Sequence, residues 1–151
     1  MTFEQIINED LKESMKSGDK LRLETLRSLR ASIIEFTKSG TGKDMTEEDA
    51  QKILLNASKK RKDAIEMYRQ AGRQDLLEKE ESELAIIAAY LPEQLSESEV
   101  VDALKLIIQQ VGAEGPKDMG KVMGLAMKEL RGKADGTLVQ QCLKELLQPQ
   151  S

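Results

Sequence analysis

Apolar residues recur at helical spacing along almost the whole chain, and no stretch joins strict alternation to β-branched enrichment. That periodicity predicts an all-α fold. Only 3% of the 151 residues are aromatic and none is Trp, so the cores must be built from Ile, Leu, Val, Met and Ala.

Helix starts and stops are equally legible. Thr2 with Gln5 forms a capping box ahead of Ile6, Ile7, Leu11 and Met15, and Gly18 stops that helix. A second helix spans about Asp19 to Ser39, followed by the turn-rich SGTGKDM, Ser39 to Met45. Thr46 opens a third helix to about Ala71, before Gly72, and a fourth runs from about Gln74 to Leu91, where Pro92 closes it. Ser96 and Glu99 cap a fifth helix striped by Val100, Leu104, Ile107, Ile108 and Val111. After the Gly112 to Pro116 break, Asp118 is expected to cap a sixth helix to about Leu130, and Asp135 or Thr137 a seventh to about Leu147. Two subdomains follow: an N-terminal bundle of about four helices over 1–92, and a smaller three-helix subdomain over 93–151.

Composition removes much ordinary enzymology. With no His there is no imidazole acid–base catalyst, and a single Cys supplies neither a disulfide nor a structural zinc site. Cys142 lies on the apolar stripe of the last helix and reads as core packing. No cofactor or metal is expected. The start MTFEQIINEDLKE is acidic and amphipathic, unlike a targeting peptide, and the longest apolar run, Leu84 to Leu91, is too short for a bilayer. A soluble, cytoplasmic protein without membrane partners is expected.

Some charges fall in the apolar stripes. At about 100° per residue, Arg22 and Arg30 lie within the arc of Leu26, Leu29 and Ile33, Arg61 lies amid Leu54, Ala57 and Ile65, and Glu80 between Leu76, Leu84 and Ile87. An unpaired buried charge costs several kcal/mol, so Glu80 is expected to bridge Arg30 and Arg61, with Glu83 or Glu81 at the margin. On this reading Arg22, Arg30, Arg61 and Glu80 form a structural ionic cluster, and Glu80→Gln lowers thermal stability. The competing reading makes Glu80 a catalytic carboxylate among arginines.

The net charge of −4 hides a basic segment: residues 115–133 hold five basic and two acidic groups, a local +3. Lys117, Gly120, Lys121, Gly124, Lys128 and Arg131 share an arc of about 100° on a helical wheel, with Lys133 just beyond. Each glycine inside a helix costs about 1 kcal/mol relative to Ala, so two of them four apart imply close approach of another backbone. That backbone is another helix or the sugar–phosphate chain of RNA, and the flanking lysines favour RNA. None of Phe3, Phe36, Tyr68 and Tyr90 lies in the segment, so base stacking is unsupported there and contact with the backbone of a structured RNA remains. Gly115 to Val122, GPKDMGKV, imitates a phosphate loop, but Val122 stands where Ser or Thr should hold magnesium and no strand precedes it.

Residues 59–95, KKRKDAIEMYRQAGRQDLLEKEESELAIIAAYLPEQL, and 117–136, KDMGKVMGLAMKELRGKADG, with the earlier TLRSLRASI, closely resemble the YqeY-like proteins. These are similar to the helical tail domain of the B subunit of the glutamine-dependent tRNA amidotransferase. The resemblance implies a larger and a smaller helical subdomain and a role in holding tRNA by its elbow, as similar modules do on a glutaminyl-tRNA synthetase. The family's G-K-x-M-G pattern falls on Gly120, Lys121, Met123 and Gly124, and its G-K-A-D-G loop on Gly132, Lys133, Ala134, Asp135 and Gly136.

The function expected from the resemblance and the basic face together is a non-catalytic tRNA-binding module associated with tRNA-dependent amidation. The carbon–nitrogen ligase activity with glutamine as amide donor is then a label inherited from the parent complex. RNA contacts are assigned to Lys117, Gly120, Lys121, Gly124, Lys128, Arg131 and Lys133, and no DNA partner is expected. The alternative is an adaptor that docks the glycine face on an aminoacyl-tRNA synthetase or an amidotransferase. A third reading, an amide-transfer enzyme, has only Glu80 or Asp135 to offer as acid–base groups and no nucleophile.

Overall fold

The computed structural model describes residues 1–39 and 44–148, so positions 40–43 of the expected turn lie outside the described residues. Among the described residues there are seven α-helices and no strand. The chain divides into two compact units, Met1–Leu91 and Pro92–Ser151.

In the first unit, α1 (Phe3–Ser17) packs along α2 (Lys20–Lys38), α3 (Glu47–Gln70) along α4 (Gln74–Ala88), and α2 touches both α3 and α4. Thr2 and Thr46 make full capping boxes, and Asp19 accepts the Arg22 N–H at 3.1 Å. The stripes of the four helices meet in one core of Ile7, Leu11, Leu26, Leu29, Ile33, Leu54, Ala57, Ile87 and Leu91. The α-helical part of α4 stops at Ala88, short of the expected Leu91. Tyr90 and Leu91 donate instead to Ile87 and Ala88, the three-residue bonding of a tightened last turn ahead of Pro92.

The second unit contains α5 (Glu97–Val111), a single 3-10 turn (Pro116–Asp118), α6 (Met119–Leu130) and α7 (Gly136–Leu147). Each helix packs on the other two. Val100, Leu104, Ile107, Val122, Ala126, Leu130, Val139, Cys142 and Leu143 are buried together, which places Cys142 in the core. Burial raises the pKa of its thiol, so it stays protonated at neutral pH.

The four-membered ionic cluster is not brought together. Arg30 is exposed. Arg22 lies 3.8 Å from Asp10 and donates at 3.4 Å to the Tyr90 hydroxyl, which itself donates to Asp10. Burial, then that hydrogen bond, pushes the Tyr90 phenol above its usual range. Arg61 pairs with Glu83, Nε to Oε2 at 3.7 Å, with the two side chains only 13% and 12% exposed. The guanidinium also donates to the Ala57 carbonyl at 3.2 Å and to Ser28 Oγ at 3.3 Å. Glu80 sits one turn away from Glu83. Its pKa is raised, first by burial and then by the charge of Glu83 and a hydrogen bond to it, against the pull of Arg61.

This arrangement reverses the expected effect of changing Glu80. A carboxyl whose pKa is raised on folding costs stability once it is ionised, and the cost fades as pH falls through the raised value towards the ordinary 4.5. Glu80→Gln should therefore leave the thermal midpoint at pH 7 equal to or slightly above wild type, with the difference closing in acid. Glu83→Gln strips Arg61 of its carboxylate and should cost about 1–2 kcal/mol, between an exposed and a fully buried pair. Thermal melts of both variants across pH 4 to 7 check the assignment, and a lower midpoint for Glu80→Gln at pH 7 would return the ionic role to Glu80.

Candidate nucleic-acid interface

On α6 the inward stripe is Val122, Ala126 and Leu130, with Met119, Met123 and Met127 packed at its margins. The same period turns Gly120, Lys121, Gly124 and Lys128 outward, and all four are exposed. A Cβ built on Gly120 or Gly124 meets nothing within 4 Å. Packing of α5 or α7 of the same unit is therefore not what these glycines serve. They leave a strip of helix backbone bare between two lysines, with Leu125, 41% exposed, beside it.

The single arc drawn from the helical wheel is carried by three local structures. Lys117 stands on the 3-10 turn. Gly120, Lys121, Gly124 and Lys128 stand on α6. Arg131 and Lys133 follow the helix, because the backbone at Arg131 has already turned extended, at ψ 127°. All three flanking cations are exposed. Lys117, Lys121, Lys128 and Lys133 enter no ion pair among the described residues.

Asp118 does not cap α6. Its φ and ψ of −92° and 1° are not the extended geometry that folds a side chain over the first helical amides, and its Oδ2 accepts the Glu114 N–H at 2.9 Å. That bond lowers its pKa, with Lys117 and Lys121 adding to the effect. Asp118 is thus a fixed anion that ties the Gly/Pro break to the root of the basic face. Asp135 does cap α7, accepting the Thr137 N–H at 3.2 Å.

The basic loop is held by residues that local pattern does not reveal. Gln94 Nε2 donates to the carbonyls of Gly132 at 2.6 Å and Pro92 at 2.8 Å, and the Leu95 N–H donates to the Lys133 carbonyl at 2.9 Å. Gly132 is buried at φ 77°, a left-handed conformation that a side chain would strain. With Ala134 also buried, the loop backbone is fixed and the Arg131 and Lys133 side chains are left outside. The Y-L-P-E-Q-L string contains Gln94, but the carbonyl it reaches at Gly132 lies 38 residues away.

A site of this make-up offers cations, bare backbone and no paired acid and base. Among the described residues no group of three or more His, Cys, Asp or Glu converges as metal ligands. Among the same residues no helix is long and apolar enough to cross a membrane.

Fold and site together define an all-helical protein of two units whose second unit displays a basic, glycine-bared helix and a clamped basic loop. The chain belongs to the Yqey-like protein family, whose profile matches residues 4–147. It is 34% identical over 142 residues to the altered inheritance of mitochondria protein 41, mitochondrial, of Pyrenophora tritici-repentis, covering 91% of this chain and 77% of that one. An uncharacterized protein of Schizosaccharomyces pombe is 39% identical over 94 residues, 62% of this chain and 76% of its own. A glutamyl-tRNA(Gln) amidotransferase polypeptide of Thermococcus sibiricus is 33% identical over 132 residues, which is 80% of this chain and 20% of that one. The likeness to the amidotransferase thus concerns a fifth of that polypeptide.

The Gln94 clamp is open to a direct test. Gln94→Ala should cost about 1–2 kcal/mol, two hydrogen bonds at about 1 kcal/mol or less each. Gln94→Glu keeps the length but sets a carboxylate against two carbonyl oxygens, and should cost at least as much at pH 7. Denaturant unfolding measures both; a Glu variant as stable as wild type would remove the clamp.

Proposed function

We propose that this protein is a non-catalytic tRNA-binding module that grips the sugar–phosphate backbone of the tRNA elbow, in the service of tRNA-dependent amidation. The observation that carries the reading is the open glycine face: bare helix backbone at Gly120 and Gly124, flanked by Lys121 and Lys128, which make no ion-pair contact within 4 Å among the described residues, Asp118 being the carboxylate whose field Lys121 feels. Lys117, Arg131 and Lys133 extend the charge at either end, so several phosphates can be met without reading a base. The similarity to a glutamyl-tRNA(Gln) amidotransferase polypeptide supports a tRNA rather than another RNA.

Carbon–nitrogen ligase activity is taken to belong to the complexes in which related domains serve. This chain has no His, and burial raises the pKa of its one thiol, so a Cys–His arrangement for glutamine hydrolysis is not among its resources. We place the protein in the cytoplasm, where a free thiol is stable; the mitochondrial name of a relative makes the mitochondrion the other compartment to examine.

One observation favours a second reading. Leu125, exposed beside the glycines, suits a protein surface better than a phosphate backbone, as an adaptor for an aminoacyl-tRNA synthetase or amidotransferase would require.

A salt titration of tRNA binding separates the two. On the RNA reading, log affinity falls with log salt by about 0.7 to 0.9 per phosphate contact, and Lys121→Glu with Lys128→Glu flattens the slope by about two contacts. On the adaptor reading, tRNA does not bind at low salt, and Leu125→Glu abolishes capture of a purified synthetase or amidotransferase.

A further inference from the structure

The strongest run of positive charge in the chain lies outside the glycine face. Residues 51–62, QKILLNASKKRK, hold five basic groups and no acid. They form the middle of α3, and there the surface is not flat: a groove of about 360 Å³ runs between α2 and α3. At one end its walls are Ser28 and Ser32 from α2 and Asn56, Lys60 and Arg61 from α3.

The hydrogen bonds say which of these groups are committed. Arg61 is neutralised by Glu83 and uses Ser28 Oγ as an acceptor, which leaves the Ser28 hydroxyl proton to donate elsewhere. Ser32 Oγ makes a long bond, 3.4 Å, to the Ser28 carbonyl. Lys59, Lys60 and Lys62 are exposed and enter no ion pair among the described residues. Glu35 also lines the groove, about 10 Å along α2 from Ser28 but only about one turn from Ser32, so the Ser28 and Lys60 side of the site is the one least opposed by its charge.

We infer that the Ser28–Ser32–Asn56–Lys60 end of this groove is a phosphate-binding site, and that its phosphate comes from the backbone of the RNA gripped by the second unit. Lys60 supplies the counter-charge and the Ser28 hydroxyl and Asn56 amide supply donors, while Ser32 donates only by giving up its long bond to the Ser28 carbonyl. Lys59 and Lys62 do not line the groove; at about 100° per residue they point to other sides of α3. The source of the phosphate rests on the RNA reading above; the site itself does not.

The test uses the full chain. Lys60→Glu should weaken tRNA binding about three- to tenfold at low salt and take about 0.7 to 0.9 off the log–log salt slope, in addition to the effect of Lys121→Glu and Lys128→Glu. Lys16→Glu, an exposed lysine of α1 outside both sites, is the control and should change little. If Lys60→Glu matches wild type while the α6 reversals weaken binding, the groove assignment falls and the RNA reading stands. If Lys16→Glu and Lys60→Glu weaken binding equally, the charge is diffuse and the groove assignment also falls. If wild type binds no tRNA, the RNA reading falls, and inorganic pyrophosphate decides the site. Amide shifts at Ser28, Ser32, Asn56 and Lys60 that Lys60→Gln abolishes keep it as a site for a small phosphorylated ligand, and no shifts overturn it.

Discussion

Burial of Val122, Ala126 and Leu130 against α5 and α7 is the constraint from which the candidate interface follows. A helix has one rotational setting once its apolar stripe is committed, because each residue advances about 100° and the opposite side is then fixed. With those three side chains inside, Gly120, Lys121, Gly124 and Lys128 have no choice but solvent. The sulfur-bearing margins, Met119, Met123 and Met127, fill the irregular space between a core poor in aromatics and the helix flanks, which tolerant thioether chains do well. The two glycines weaken the helix, and tertiary burial on its other side supplies the stability that propensity withholds.

Inward charge in the first unit obeys a different logic, and there the sequence misleads. A helical wheel puts Glu80 and Glu83 on neighbouring azimuths but gives no height, and a difference of one turn decides which carboxylate reaches Arg61. Glu83 has it, and Glu80 is left against Glu83, its pKa raised by burial and by that neighbouring charge. Azimuth alone places Arg30 inward, but a side chain of its length carries its charge out to water from the margin of a stripe. Arg22 finds its anion on α1, in an Asp10–Tyr90 pair that no spacing rule joins, since it spans 80 residues.

What is legible in the sequence is therefore what is local. Capping boxes at Thr2 and Ser96 and the helix start at Thr46 are read from local pattern, and at all three the structure forms a reciprocal pair of hydrogen bonds, with Asp49 completing the one at Thr46. Exposure of the glycine face is legible for the same reason, as a property of one helix. Asp118 shows where local reading stops: it has the right residue type for a cap, but the 3-10 turn ahead of α6 gives it the wrong backbone angles and it bonds backwards to Glu114. The Gln94 and Leu95 clamp on the basic loop is wholly non-local, and nothing in the GKADG string foretells which backbone carbonyls are taken.

The net charge of −4 conceals how the two signs are used. Many acids are engaged at helix starts: Asp19, Asp49, Glu99 and Asp135 accept or complete cap bonds, and Glu47, Glu48 and Glu97 sit in first turns where the helix dipole favours them. Hydrogen bonds at the cap hold Asp49 and Glu99 below the usual carboxylate range, so those charges persist in mild acid. The lysines of α6 and of mid-α3 make no ion-pair contact within 4 Å among the described residues, although Lys121 and Lys52 help lower the pKa of Asp118 and Asp49; at exposed sites removing them would cost the fold little. An acidic protein can thus carry exposed lysines on two helices, α6 and α3. Part of its acidity belongs to helix starts, while the exposed lysines of α6 and mid-α3 stand apart from that role.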